Sequence, residues 1–333
     1  MRGSIFFLLT VMSITLGLKL CAQDPHFSQF FMAPQFVNPS LTGSGSGDWR
    51  IMGNVRQQWG NAGTPFSTQA FAGDVKVMGK EEGENTLAIS GFAMNDQSMN
   101  GAFKSIYAGG SIAYHLRMGN NSSLSAGFQA NYGHRRLDYN KLNFGEQFTS
   151  GGFDVSLPTG ETSLQSMKPF YSLGAGILYN YYNETMNIDV GIASFDINQP
   201  KQSFINDEKQ FLKRRYVFHY NMEFNSYGDI LWNVNTIFQL QSIQNYFSIG
   251  GGLGYDLTNG LRENIFFAGA WFREGDAIYP YAGMQIGSFQ FGLSYDITIS
   301  KQNNGPVNPR SFELSFVLRQ AKKIPHKIPC PWN

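Results

Sequence analysis

The chain has 333 residues, a formal net charge of +1, 15% charged and 15% aromatic residues, and 37 glycines. Without a basic surplus it has no electrostatic footprint for nucleic acid, and beyond its first residues no run of about eighteen apolar residues offers a membrane-spanning helix. Two cysteines and five histidines without short paired spacing give no metal centre or disulfide framework, so no cofactor is expected.

Taken in order, Arg2 supplies a positive start and Ile5 to Leu18 an apolar core too short to span a membrane. This reads as a signal peptide over residues 1–22, cleaved after Ala22, with Leu20 and Ala22 at the two positions the peptidase reads. A lipoprotein with Cys21 lipidated is the competing reading; Leu20 argues against it, because the position before a lipidated cysteine needs a very small side chain. Cleavage leaves about 310 residues, room for one large domain or two small ones.

Residues 23–48 come next. Pro25, Pro34 and Pro39 forbid a regular helix or a central strand there. Phe27, Phe30, Phe31, Phe36 and Leu41 are too apolar for a free tail. The segment is expected to be ordered and to pack against the rest of the chain or a partner.

From Trp49 to Arg319 the sequence alternates with a period of two. Trp49, Ile51, Gly53, Val55 and Trp59 oppose Arg50, Asn54, Arg56 and Gln58, and Ile106 to Leu116 oppose Ser105, Ser111, His115 and Arg117. Tyr216, Phe218, Tyr220, Met222 and Phe224 oppose Arg215, His219, Asn221 and Glu223. Phe289 to Ile299 and Phe312 to Leu318 repeat the rhythm. The runs predict about fourteen strands, starting near residues 49, 67, 87, 104, 123, 170, 186, 215, 230, 244, 264, 277, 288 and 311, with twelve or sixteen as the alternatives because the ninth, eleventh and twelfth are the weakest. An even count suits a transmembrane antiparallel β-barrel over 49–319 with both ends in the periplasm. Long connections at 133–169 and 195–214 then lie outside, and short turns at Gly119–Asn121 and Asn183–Glu184 lie inside. Trp49, Trp59, Tyr179, Tyr181 and Tyr182 are placed where interfacial girdles sit. A soluble sandwich also alternates, but fourteen strands would need two such domains and no linker divides the chain.

The alternation puts Arg50, Arg56, Lys76, Arg117, Arg215 and Arg319 in the lumen with Asp74, Asp189, Glu223, Asp256, Asp296 and Glu313. A selective pore carries a bias of one sign, whereas this balance predicts a lumen closed by salt bridges or by a folded-in segment. The plug and lumen candidates are Phe27, Phe30, Phe31, Phe36, Arg50, Arg56, Arg215, His219 and Glu223. A water-filled polar lumen, that of a passive porin, is the alternative. His115 and His219 face the lumen with no serine motif beside them, so no catalytic residue and no enzyme is expected. Residues 320–333 read as a cationic, proline-containing periplasmic tail, with Cys330 either inert or available for an intermolecular disulfide.

Four stretches carry a family resemblance: Gln23 to Gly43, Gly191 to Phe204, Leu212 to His219, and the ending Pro329-Cys330-Pro331-Trp332. Together they resemble the PorP/SprF proteins, outer-membrane components associated with type IX secretion and gliding motility in Bacteroidetes. Two departures are Asp196, where members often carry histidine, and Asn333 after the terminal aromatic residue. The resemblance implies an outer-membrane protein that acts by binding. Its implied partners are type IX secretion components, outer-membrane lipid and a large secreted surface adhesin that it delivers or anchors. The contact is expected on the outer loops, with Asn198, Gln199, Pro200 and Phe204 as candidates; these residues also suit a purely loop-shaping role.

Overall fold

The computed structural model describes residues 25–320, except 46, 62, 81–82, 161–166, 204–207, 226–228, 259–261 and 301–308. The signal peptide with Cys21 and Ala22, the segment after residue 320 with Cys330, and Phe204 lie outside the described residues.

Fourteen antiparallel strands close into one barrel. They are β1 (Trp49–Gln58), β2 (Phe66–Met78), β3 (Thr86–Ser98), β4 (Phe103–Arg117), β5 (Ser122–Leu137), β8 (Phe170–Tyr182) and β9 (Met186–Phe195), then β10 (Arg215–Asn225), β11 (Ile230–Gln241), β12 (Gln244–Asp256), β13 (Asn264–Arg273), β14 (Ala277–Ile286), β15 (Phe289–Thr298) and β16 (Arg310–Arg319). A two-stranded hairpin, β6 (Phe148–Thr149) and β7 (Gly152–Phe153), stands in the longest loop, outside the barrel. Each barrel strand pairs with its neighbour in sequence, and β1 meets β16 from Arg50↔Arg319 to Gln57↔Phe312. Every strand therefore has two partners and the sheet has no edge, the condition for crossing lipid with strands. Strands of 10 to 16 residues are long enough to do so.

The strand starts agree with the sequence expectation to within a residue, and the faces follow its alternation. Phe71, Ile112, Phe128, Ile192, Phe218, Leu293 and Leu314 are exposed on the outside. An apolar band of this extent is incompatible with water and requires lipid, which rules out the sandwich. Trp49 and Tyr179 lie on this outer surface, as a girdle requires. Tyr182 does not: it is turned inward and lines the lumen beneath Arg117. The two termini of the barrel and the turns after β2, β4, β8, β10, β12 and β14 share one end, whereas the loops 138–169 and 196–214 leave from the other. Short turns belong to the periplasmic side and long loops to the outer side, and the ends are named accordingly.

Strands β13 and β14 depart from simple alternation, with apolar residues on both faces. Phe267, Trp271, Tyr279 and Tyr281 face inward while Phe266, Phe272 and Ile278 face lipid. Their periodicity is weak in sequence for that reason, and the interior explains it, because what they face is not water. Pro280 on β14 has no N–H to give, and the ladder to β15 is interrupted at that point, between Ile278↔Ile297 and Tyr281↔Ser294.

The lipid face makes a direct prediction. Leu293→Arg on β15 should cost about 2–4 kcal/mol in urea unfolding from lipid vesicles, whereas Asn187→Arg, facing the lumen near the periplasmic mouth opposite Glu223, should cost close to nothing.

Candidate functional site: the filled lumen

Residues 25–45 lie inside the barrel. The prolines prevent a continuous helix, and the segment descends through three single 3-10 turns, Phe30–Met32, Pro34–Phe36 and Pro39–Leu41. It begins near the outer end, where His26 packs on Tyr246 with ring centroids 4.6 Å apart. It ends near the periplasmic end, where the Lys76 ammonium donates to the Gly45 carbonyl at 3.0 Å.

Three apolar clusters seat it. Phe30, Val37 and Leu41 are buried with Leu178, Phe195, Val217, Ile237 and Trp271. Phe27 and Ala33 pack with Met94, Tyr107 and Phe170, and with Phe36 and the loop residue Leu212. Met32 joins Met52, Phe92 and Val317. Phe31 stacks on Trp271 at 4.8 Å and meets Tyr281 edge-on at 5.4 Å. These contacts account for the apolar inner faces of β13 and β14.

Polar anchors hold it at three levels. At the top, Glu313 on β16 accepts the backbone N–H groups of Ser28 and Gln29 at 2.7 and 3.0 Å. The Ser28 hydroxyl donates to Asp296 at 3.0 Å and accepts from the guanidiniums of Arg56 and Arg273. Arg56 pairs with Asp296 at 2.8 Å and with Glu313 at 3.3 Å, and Arg273 pairs with Asp296 at 3.0 Å, all four side chains being buried. Two cations, two anions and two backbone donors thus share one buried hydrogen-bonded cluster, the arrangement buried charge requires.

In the middle, Asn38 is the hub. Its Oδ1 accepts from the N–H and hydroxyl of Ser40, capping the last turn. Its Nδ2 shares its hydrogens among the Ile177 carbonyl on β8, the Ile192 carbonyl on β9 and the His219 Nε2 on β10, at 3.1, 3.3 and 3.0 Å. Such approach to the wall is possible because glycine faces it. A Cβ on Gly176 would lie 1.9 Å from Asn38 Oδ1, and one on Gly191 2.2 Å from His219 Nε2. Asn38, Gly191 and His219 belong to three of the sequence stretches that carry the family resemblance, and here they touch.

At the bottom, Arg50 holds Asp74 at 2.7 Å and donates to the Leu41 carbonyl at 2.7 Å. His115 donates from Nε2 to the Thr42 carbonyl at 2.8 Å, which leaves Nδ1 to accept from Ser125 at 2.6 Å. Arg215, higher up, reaches the Phe36 carbonyl at 3.4 Å and lies over the Phe195 ring at 4.3 Å. Among the lumen candidates, Phe27, Phe30, Phe31, Phe36, Arg50, Arg56, Arg215 and His219 all take part in this packing. Glu223 does not; it lines open space beneath the segment. Sequence reasoning passed over Ser28, Gln29 and Asn38, whose polarity gives no hint of burial, and Arg273, whose strand lacked a readable face.

On the outer side, Asn198 continues the β8 ladder. Its side chain accepts from the Leu173 N–H at 3.0 Å and donates to the Tyr171 carbonyl at 2.8 Å. Gln199 closes a turn onto the Asp196 carbonyl at 2.9 Å, and the Pro200 carbonyl accepts from Leu212 at 2.9 Å. Lys201 pairs with Phe211, and the Gln202 N–H donates to the Gln210 carbonyl at 2.9 Å, so the two arms of this loop run together. In the other long loop, Phe148 and Phe153 are exposed on the β6–β7 hairpin with ring centroids 5.2 Å apart. Hydrogen bonds from the Ser156 hydroxyl and N–H hold the Asp154 carboxyl below its ordinary range.

The family model of the type IX secretion system membrane protein PorP/SprF matches residues 20–318. The chain belongs to the PorP/SprF family. The match spans the filling segment and the barrel alike. No curated protein matches the sequence. Among solved structures, the chain is similar to the Ralstonia pickettii toluene transporter TbuX, with 11% identity and a TM-score of 0.50 over 86% of this chain and 93% of that one. It is similar to the same degree to the CymD monoaromatic hydrocarbon channel, with 9% identity and a TM-score of 0.50 over 87% and 93%. These likenesses concern the fold: an outer-membrane barrel.

Two substitutions test the seating. Gly191→Val should displace Asn38 and expose the N-terminal phenylalanines, seen as new chymotrypsin cleavage between residues 27 and 36 while the barrel stays intact. Glu313→Gln removes one charge from the buried cluster and should weaken seating by about 3–5 kcal/mol, read as a lower urea threshold for the same cleavage.

Proposed function

We propose that this PorP/SprF protein assists type IX secretion by binding a large surface adhesin at its outer face, delivering or anchoring it, with gliding motility as one use. The observation that carries this reading is the occupied lumen. A barrel whose interior is taken up by its own chain has given its bore to packing, and its remaining distinctive features are surfaces. That weighs against the passive porin, which needs an aqueous bore.

The two long outer loops are the surfaces proposed for the partner. The stretch around Asn198, Gln199 and Pro200 serves as a rigid base, since Asn198 spends its amide on the β8 backbone. The stretch between Lys201 and Phe211, to which Phe204 belongs in sequence, is the proposed contact. Leu212 ties this loop to the cluster formed by Phe27 and Phe36, so the lumen filling supports the loop from below.

The test is a mild-detergent pull-down of the tagged protein from outer membranes of wild-type cells and of cells in which residues 202–210 are replaced by a short glycine-serine link. Wild-type protein should retain a stoichiometric giant surface protein, and the trimmed loop should lose it while still yielding folded barrel. Recovery of the bare barrel from wild-type membranes, even after crosslinking, would refute the reading.

A further inference from the structure

The lipid-facing side of β4 and β5 changes character at its outer end. Ile112, Ala108 and Ile106 on β4, and Phe128, Ala130 and Tyr132 on β5, are exposed to the bilayer. The same faces continue with Lys104 on β4 and with His134 and Arg136 on β5, because alternation carries every second side chain outward. Tyr132 meets Tyr171 of β8 edge-on, with ring centroids 5.7 Å apart, and both are exposed. Tyrosines so placed mark the boundary between hydrocarbon and headgroups, and the three basic residues stand just beyond it.

These cations are neighbours. Lys104 and Arg136 are direct cross-strand partners, and His134 faces Ile106 one outward position below. Lys141, in the 3-10 turn Tyr139–Lys141 that follows β5, joins them. A Cβ on Gly101, in the turn between β3 and β4, would lie 3.6 Å from both the Lys141 Nζ and the Lys104 Cε. The two long side chains thus converge over a residue that has none. No carboxylate among the described residues lies within ion-pair distance of Lys104, Arg136 or Lys141, and Asp138, the acid nearest in sequence, makes its contacts with other groups.

Like charges directly opposite on one face of an antiparallel pair repel, since their Cβ atoms are only about 4.5–5.5 Å apart. Inside this barrel such concentrations are offset by the chain itself. Arg50, which faces Arg319 across the β1–β16 seam, is paired with Asp74, and Arg56 and Arg273 are paired with Asp296 and Glu313. The cluster on the outer wall has no such counter-charge of its own, and what adjoins it is the membrane surface. A guanidinium and two ammonium groups side by side match the several oxygens of a phosphate. The apolar face directly below them matches acyl chains.

We propose that Lys104, Arg136 and Lys141 form a binding site for an outer-leaflet lipid whose headgroup carries a net-negative phosphate, with its acyl chains lying along Ile106, Ile112, Phe128 and Tyr132. A soluble acidic partner would meet the cations and leave the apolar face beneath them to other molecules, whereas one lipid meets both. The site lies on the outer wall of the barrel. It uses neither the filled lumen nor the adhesin contact proposed above, and it stands or falls separately from that reading.

The test is native mass spectrometry of the purified full mature chain, released from detergent micelles after incubation with phosphorylated lipid A, with the same lipid after phosphatase treatment, or with zwitterionic phosphatidylethanolamine. The phosphorylated lipid should be retained at least about tenfold more than the other two, and inorganic phosphate alone should not displace it. Lys104→Gln combined with Arg136→Gln should lower retention about tenfold, whereas Arg310→Gln combined with Lys80→Gln, which removes the same charge elsewhere, should leave it unchanged. Arg136→Glu separates binding from folding: it turns the repulsive pair with Lys104 into an attractive one, so the unfolding temperature in lipid-free detergent should rise while lipid retention falls. Equal retention of phosphorylated and dephosphorylated lipid, retention of neither, displacement by phosphate alone, or full retention by the Lys104→Gln, Arg136→Gln chain would overturn the proposal.

Discussion

A fourteen-stranded barrel encloses more room than its own inward side chains can fill. Such a chain must either admit water along its axis or supply something to pack the bore, and this one supplies residues 25–45. Most other features of the interior follow from that. The inner faces of β13 and β14 carry Trp271, Tyr279 and Tyr281 because they meet Phe30 and Phe31 rather than solvent. The wall carries glycine at 176 and 191 because Asn38 comes up against it. Four charged side chains are buried at the outer end because two backbone N–H groups of the segment are there to complete their hydrogen bonding.

The segment thus behaves as an internal ligand whose recognition is distributed. Apolar burial supplies most of the driving force, while the polar anchors at Ser28, Asn38 and Thr42 fix the register in which it lies. The same filling divides the molecule functionally. Above it, Leu212 rests on the Phe27 cluster and the outer loops have a firm base. Below it, a chamber lined by polar, charged and apolar side chains faces the periplasm. The molecule therefore has two separate faces, one above the filling segment and one below it.

Most of the barrel was legible in the sequence because strands with lipid on one side and polar groups on the other cannot avoid a period of two. The inward placement of Arg50, Arg56, Arg215 and Glu313 followed from parity alone. Legibility failed where that contrast vanished. Arg273 sits on a strand with apolar residues on both sides, so parity had nothing to distinguish. Tyr182 was placed in a girdle by its type and position near a strand end, whereas its register turns it inward. The equal numbers of lumen cations and anions were readable, but their arrangement was not. Near the outer end Arg56, Arg273, Asp296 and Glu313 from four strands converge on one cluster, and near the periplasmic end Arg50 on β1 pairs with Asp74 on β2. Asn38 was invisible as a hub because a surface-typical residue next to a proline reads as a turn. Only its contact with Gly191 and His219 shows why those stretches belong together.

The claim on which the rest stands is that the N-terminal segment fills the bore of the working protein. The most direct measurement is single-channel recording in planar bilayers of the purified mature chain and of the same chain lacking residues 25–43. A silent or nearly silent wild-type barrel and large, steady conductance after the deletion are expected. Large, steady conductance from the intact chain, unchanged when the segment is removed, would contradict it.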